Sequence, residues 1–388
     1  MLVDWSKIDI TTAEEQLERM RNGMPTTLPE LYVLPSRART YHDNFVKRME
    51  KRLWGFILVV GENRAGKSAY LKYVERCAID LGLCTVHIEV DDKQIRQLGA
   101  NAYFNKQFFS SLRLFPASET FSYKLQVNER FRDSVNQLIE NRRTDFEFYS
   151  PALTNALYYA TSSGNYSERA WSWLRGEPQN VNVLRSLEIF DRNATSLLQV
   201  PTDKLIYFMK ELMAGLDLPA ILITVDEIER CGLLPPVKGR ETLFMLRDLI
   251  NIITSEESQP AKRGILNGVF LCFAISTFYL GYSGVIEVEG IDFRARADRE
   301  GRPRVQIGDV PRLALLLRHS ATRIDIELEL QDLKEIAERV IGCYQRVTNR
   351  TVNINAEELA RKAIDGTSSP LAGPNIQEMI NILDRMKN

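Results

Sequence analysis

Cysteine and histidine are scarce: the 388 residues hold 5 Cys and 3 His. The thiols (Cys77, Cys84, Cys231, Cys272, Cys343) and imidazoles (His42, His87, His319) show no CxxC, HExxH or paired Cys/His cluster, which argues against a zinc site. Long apolar runs are missing too. The most apolar stretch, Val269–Ile275, is far shorter than the roughly 20 residues a membrane-spanning helix needs. Neither sign of charge is in excess: Lys plus Arg is 50, Asp plus Glu is 51, and the formal net charge is −1. The chain is therefore no bulk polycation, and any nucleic-acid contact has to come from a local patch. The opening residues, MLVDWSKIDITTAEEQ, carry acids where a secretory signal has a basic and then an apolar run. These absences predict a cytoplasmic protein with reduced thiols and no membrane partner.

What is present is ordinary for a globular chain, with 44% hydrophobic and 26% charged residues, enough to bury a core. Length alone suggests two to three domains or one large one. Thr11 and Thr12, three residues before Glu14 and Glu15, read as a doubled capping box for a helix ending at Gly23. A second helix is expected over about 37–51. Phe56–Val60, Cys84–Val90, Ala220–Val225 and Val269–Ile275 read as strands separated by helices at about 68–81 and 240–255. Such runs, alternating with helices, predict a parallel sheet covered on both faces, an α/β fold. Residues 100–215 read as mostly helical and rich in aromatics, among them Phe104, Phe108, Phe131, Tyr158, Trp171 and Trp173. Their plain reading is a small core of the insertion, with a base-stacking platform as the alternative. A last strand, Arg323–Leu328, precedes helices near 331–347, 355–365 and 375–387. The expected layout is an N-terminal helical segment (1–50), a core (51–330) with the helical insertion, and a helical lid (331–388).

The chemistry is concentrated in two motifs. Gly61-Glu62-Asn63-Arg64-Ala65-Gly66-Lys67-Ser68 fits G-x-x-x-x-G-K-[ST], between a strand and a helix that runs on through Ala69. Main-chain N–H groups of such a loop, with the helix N-terminus, hold phosphates. Lys67 would reach the β- and γ-phosphates of ATP and Ser68 would ligate Mg²⁺. Arg64 stands where a small residue is usual, and would either touch phosphate or weaken the loop. The strand Ile221–Val225 runs into Asp226 and Glu227. Asp226 is placed to hold Mg²⁺ through water opposite Ser68, and Glu227 to polarise the attacking water. The pair favours hydrolysis of ATP over phosphoryl transfer to a small metabolite. Ser276 and Thr277, at the tip of the next strand, are candidates to position the water, with a simple strand-terminal turn as the alternative. Arg318 and Arg323 are candidates for a guanidinium delivered to a neighbouring subunit, which implies a homo-oligomer, or are plain surface residues. Arg294, Arg296, Arg299, Arg302 and Arg304 crowd one loop, diluted by Asp292, Asp298 and Glu300. That loop reads as a solvated hairpin tip or as a contact to the backbone of double-stranded DNA.

Several segments together resemble a known family. EEQLERMRNGMP, GENRAGKSAYLKYVERCAIDLG, VDEIERCGLLPP with RETLFMLRDLINIIT, GVFLCFAISTFYLGYSGV, RIDIELELQDLKEIAERVIGCY and NIQEMINILDRM look like the P-loop ATP-binding proteins of bacterial BREX phage-defence systems, the BrxD-type group. The likeness spans both ends and most of the chain, leaving 100–215 poorly matched. VDEIE and FYLGYSGV are its more specific parts. It implies an AAA+ core related to the origin-recognition and Cdc6-like ATPases, with a helical C-terminal part. It also implies a role in anti-phage defence beside a helicase or DNA-modifying partner. Two departures stand out: family members often carry Gly where this chain has Arg64, and the helix at Asn375–Ile380 lacks the arginine that many AAA+ lids carry. The expected activity is thus ATP hydrolysis coupled to assembly, DNA or a partner. The competing readings are a DNA-loading or target-selecting ATPase, as in initiators and transposition regulators, and a nucleotide-binding scaffold without turnover.

Overall fold

The apolar runs become parallel neighbours in the computed structural model. It describes residues 4–386 apart from 23, 25, 27, 29, 30, 63, 117, 118, 163, 165, 192, 255–266, 277–322, 327, 368 and 370. The strands are β1 (Gly55–Gly61), β2 (Cys84–Glu89), β3 (Ile221–Asp226), β4 (Val269–Ser276) and β5 (Arg323–Asp325), and they form one sheet in the order β2-β3-β4-β1-β5. All four pairings are parallel. Side chains alternate between two covered faces, which is why these strands read as unbroken apolar runs rather than as alternation. Phe56, Leu58, Val60, Ile223, Leu271 and Phe273 enter one core, whereas Ile57, Val59, Leu222, Phe270, Cys272 and Ala274 enter the other.

Helices α1 (Ile10–Arg21), α2 (Arg39–Glu50) and α3 (Lys67–Asp80) come first. The cap of α1 differs from expectation. Asp9, not Thr11 or Thr12, is the N-cap: its carboxylate accepts the Thr12 N–H at 2.9 Å, and the helix starts a few residues early. A carboxylate is as good a cap as a hydroxyl and also suits the positive end of the helix dipole. With α2, α3 covers the second face of the sheet, and Glu75 of α3 is tied to it. Glu75 Oε1 lies 2.7 Å from His87 Nδ1 on β2 and accepts from the Thr224 hydroxyl on β3.

Between β2 and β3 the described residues carry helices and no strand, apart from isolated bridges at Arg113 and Thr120: α4 (Asp92–Leu98), α5 (Ala100–Ser111), α6 (Phe121–Val127), α7 (Glu129–Asn141), α8 (Arg143–Tyr149), α9 (Pro151–Thr161), α10 (Ser167–Leu174), α11 (Val181–Ser186) and α12 (Thr202–Gly215), besides 3-10 turns. Many of their aromatics are core, although Tyr123 and Phe148 are exposed. Phe104, Phe108, Phe121, Phe146 and Trp173 are fully buried, and they share one continuous core with the first face of the sheet. Trp173 also satisfies its indole N–H, donating to Ala194 O at 2.9 Å. Helix α13 (Pro236–Thr254) follows β3.

The last helices are α14 (Leu330–Thr348), α15 (Ala356–Thr367) and α16 (Ala372–Arg385). They share a third core with α1, in which Leu17 and Met20 pack with Ile336, Val340, Met379 and Leu383. Arg21 seals this packing with an ion pair to Asp384 at 3.1 Å. The buried Asp332 on α14 accepts from the Ser36 hydroxyl at 2.6 Å and from its N–H at 3.1 Å, which holds the segment before α2 against the C-terminal helices. Among the described residues no helix is long and apolar enough to cross a membrane.

Candidate functional site

Strand β1 ends in Gly61, and the chain turns back on itself before α3 begins at Lys67. The turn is closed by the Ala65 N–H donating to Glu62 O at 3.1 Å. Gly66 sits at φ +107°, a left-handed conformation that strains any L side chain, so glycine is demanded there. Arg64 is left-handed as well, at φ 68°. The first N–H groups of α3 have no partner within their own helix and, with its dipole, suit an anion. The Lys67 side chain is buried and folds over the loop, its Nζ donating to Gly61 O at 3.1 Å and Glu62 O at 3.2 Å. Ser68 and Ala69 follow, half-buried on the first turn.

The sheet order brings the acids to this loop. Strand β4 lies between β1 and β3, and its register sets Ser276 opposite Gly61. Asp226 is buried at the end of β3, with Oδ1 accepting the Glu227 N–H at 2.8 Å. Glu227 turns left-handed (φ 58°), which starts the 3-10 turn Ile228–Leu233. Its Oε2 accepts from Arg230 Nε at 3.2 Å, and Arg230 also pairs with Glu89 at the end of β2, at 3.4 Å. The same turn swings Glu229 back under the loop. Glu229 Oε1 is 3.6 Å from Lys67 Nζ, and its Oε2 accepts the Ser276 N–H at 3.3 Å. Burial pushes the Glu229 carboxyl up from its ordinary value; Lys67 opposes this, while Glu227 and Asp226 add to it.

A cavity of about 370 Å³ opens from the loop. Gly66, Lys67, Ser68 and Glu227 line its polar end, and Met20, Tyr32, Val33, Ile336, Val340 and Ile376 supply apolar walls. Arg339 of α14 also lines it, donating to Tyr32 O, and burial lowers its pKa below the usual guanidinium value. Arg64 also lines the cavity, and its side chain is tied to the C-terminal helices. Its guanidinium donates to Gln377 Oε1 on α16, and its carbonyl accepts the Gly373 N–H at 3.0 Å. A Cβ on Gly373 would stand 3.0 Å from that carbonyl oxygen, so glycine lets α16 come this close. Gln377 in turn donates to Arg21 O at 2.9 Å.

The fold thus gathers Gly61, Glu62, Ala65, Gly66, Lys67, Ser68, Glu227 and Ser276 around one loop, with Asp226 at the adjoining strand end. Asn63, Thr277, Arg318 and the arginines at 294, 296, 299, 302 and 304 lie outside the described residues. The backbone of Arg323 belongs to β5, paired with Leu58 rather than with the end of β1. Sequence reasoning missed Glu229, Arg339, Tyr32 and the pair Gly373–Gln377. Of these only Glu229 left a signal, as the last acid of the VDEIE segment.

No family model matches the chain, and no curated protein matches it. Among solved structures it is similar to a Walker-type ATPase of Pyrococcus abyssi, with a TM-score of 0.37 and 13% identity, covering 92% of this chain and 71% of that one.

Proposed function

We propose that this chain binds and hydrolyses Mg-ATP at the loop Gly61–Ser68, as the ATPase of a bacterial anti-phage defence system of the BREX kind. One observation carries the enzymatic part: Lys67, Ser68 and Glu227 line one cavity together with apolar side chains such as Tyr32, Val33 and Ile336. Phosphates suit the N–H groups and ammonium at one end, and a purine base suits the Tyr32, Val33 and Ile336 walls at the other. The cavity volume falls in the range usual for small-molecule sites.

Ser68 and Asp226 supply the hard oxygen donors that Mg²⁺ prefers, one at the first turn of α3 and one at the end of β3. When bound, the ion neutralises charge on the β- and γ-phosphate oxygens. Lys67 adds a second positive charge there, and the main-chain N–H groups orient the chain of phosphates. Glu227 takes a proton from water as its oxygen bonds to the γ-phosphorus, and the bond from that phosphorus to the bridging oxygen breaks to leave ADP and phosphate. The Arg230 contact holds the Glu227 carboxylate in one orientation.

The defence role rests on the similarity of the VDEIE and FYLGYSGV segments to the BrxD-type group. With it comes a helicase or DNA-modifying partner; a homo-oligomeric state is proposed from Arg318 and Arg323, and duplex DNA as a ligand from the arginines at 294–304. Neutralising those five arginines should abolish salt-dependent binding to duplex DNA, and unchanged binding would remove DNA from the proposal. The enzymatic test is direct. Purified protein should release phosphate from Mg-ATP, and Lys67→Ala should lower the rate at least about 100-fold. Absence of turnover in the wild type defeats the reading.

A further inference from the structure

We propose that Glu229 is a built-in rival of the γ-phosphate for Lys67, and that it thereby sets the affinity of the site for ATP relative to ADP. The inference rests on the ATPase reading above. Lys67 is the cation that such a loop offers to the terminal phosphates. In this fold it already has an anionic partner, at 3.6 Å, and both side chains are largely shielded, Lys67 at 8% and Glu229 at 18% exposure. Shielding matters because a charge pair out of water is screened far less than one at the surface.

The geometry also says which phosphate is affected. The second oxygen of Glu229 is anchored on the Ser276 N–H, at the tip of β4, and β4 lies between the strand that feeds the loop and the strand that carries Asp226. Asp226 and Glu227 are the groups assigned to the metal and the attacking water, so this side of Lys67 faces the γ-position. A γ-phosphate that takes Lys67 must displace the Glu229 carboxylate or sit against it, like charge against like charge. The β-phosphate of ADP lies nearer the N–H groups of the loop and feels the rivalry less. Neither Asp226 nor Glu227 relieves Glu229, since both are acids, one at the end of β3 and one at the start of the turn that carries Glu229.

Replacing Glu229 with Gln keeps the size and the acceptor for Ser276 N–H and removes the charge. Equilibrium binding of ADP and of the non-hydrolysable β,γ-imido analogue of ATP, both with Mg²⁺, reads the effect. Glu229→Gln should bind the triphosphate analogue about tenfold tighter than the wild type and ADP less than threefold tighter. Glu229→Asp keeps the charge but withdraws it by one methylene, and should fall between the two; it also serves if the Gln protein does not fold. Equal gains for both nucleotides, or no gain, overturn the rivalry while leaving the ATPase reading intact. Unchanged affinities with a collapse of kcat would make Glu229 a catalytic base instead, and also overturn it. Failure of both wild type and variants to bind either nucleotide defeats the ATPase reading and this inference together.

Discussion

Asp226 and Glu227 are adjacent in the chain but are set apart by one backbone step. Asp226 keeps the extended path of β3 and is buried, whereas Glu227 takes a left-handed conformation, costing about 1–2 kcal/mol for a residue with a side chain. That step turns Glu227 toward the cavity and into the reach of Arg230. Strain of this kind is tolerated where the surroundings over-determine it, here by the Asp226 contact to the Glu227 N–H. Glu227→Gln keeps the shape and removes the basicity. It should hold KM for ATP within about threefold and cut kcat by about 100-fold or more, as steady-state phosphate release would show. An unaltered kcat would move the base elsewhere. Arg64 teaches a second lesson. As a sequence feature it reads as a phosphate contact or a weak point of the loop; in the fold its contacts go to Gln377 and Gly373, and its side chain braces the C-terminal helix against the loop. That role spans 313 positions and leaves no local trace in composition or spacing.

Helix α3 carries the loop at one end and the Glu75 contact in its middle, so its seating on the sheet governs the loop. Burial by itself would raise the Glu75 carboxyl, but His87, Lys72 and Thr224 outweigh it and hold the group below its ordinary value of 4.5. A carboxyl held low in the folded state stabilises the fold above that ordinary value, and the contribution is lost as pH falls through the lower, folded one. Thermal melts should therefore show Tm falling as pH drops below about 4.5, and Glu75→Gln should flatten that part of the curve. An identical slope in both proteins would mean that other carboxylates carry the acid sensitivity. At this scale the sequence was most readable. Strands β1, β3 and β4 are buried on both faces and announce themselves as apolar runs, and the loop is set by Gly66, Lys67 and Ser68 at fixed spacing. Glu229 was not readable in the same way. Its place under Lys67 depends on a 3-10 turn and on β4 lying between β1 and β3, neither of which a linear pattern encodes.

Among the described residues, three cores divide the work. The insertion helices share the first with the sheet, α2 and α3 fill the second, and α1 joins the C-terminal helices in the third. If a neighbouring copy completes the site with Arg318 or Arg323, turnover per protomer should rise with protein concentration and level off once the oligomer forms, as rate and sedimentation measured together would reveal. A rate per protomer that stays flat across assembly would assign the whole reaction to a single copy. The cavity itself draws its apolar walls from α1, from the segment before α2, from α14 and from α16, while most of its polar residues come from the loop with the start of α3 and from Glu227 after β3, with Arg339 of α14. Under the proposed reading, the part of the cavity that faces phosphate and the part that faces a base thus come from different stretches of polypeptide.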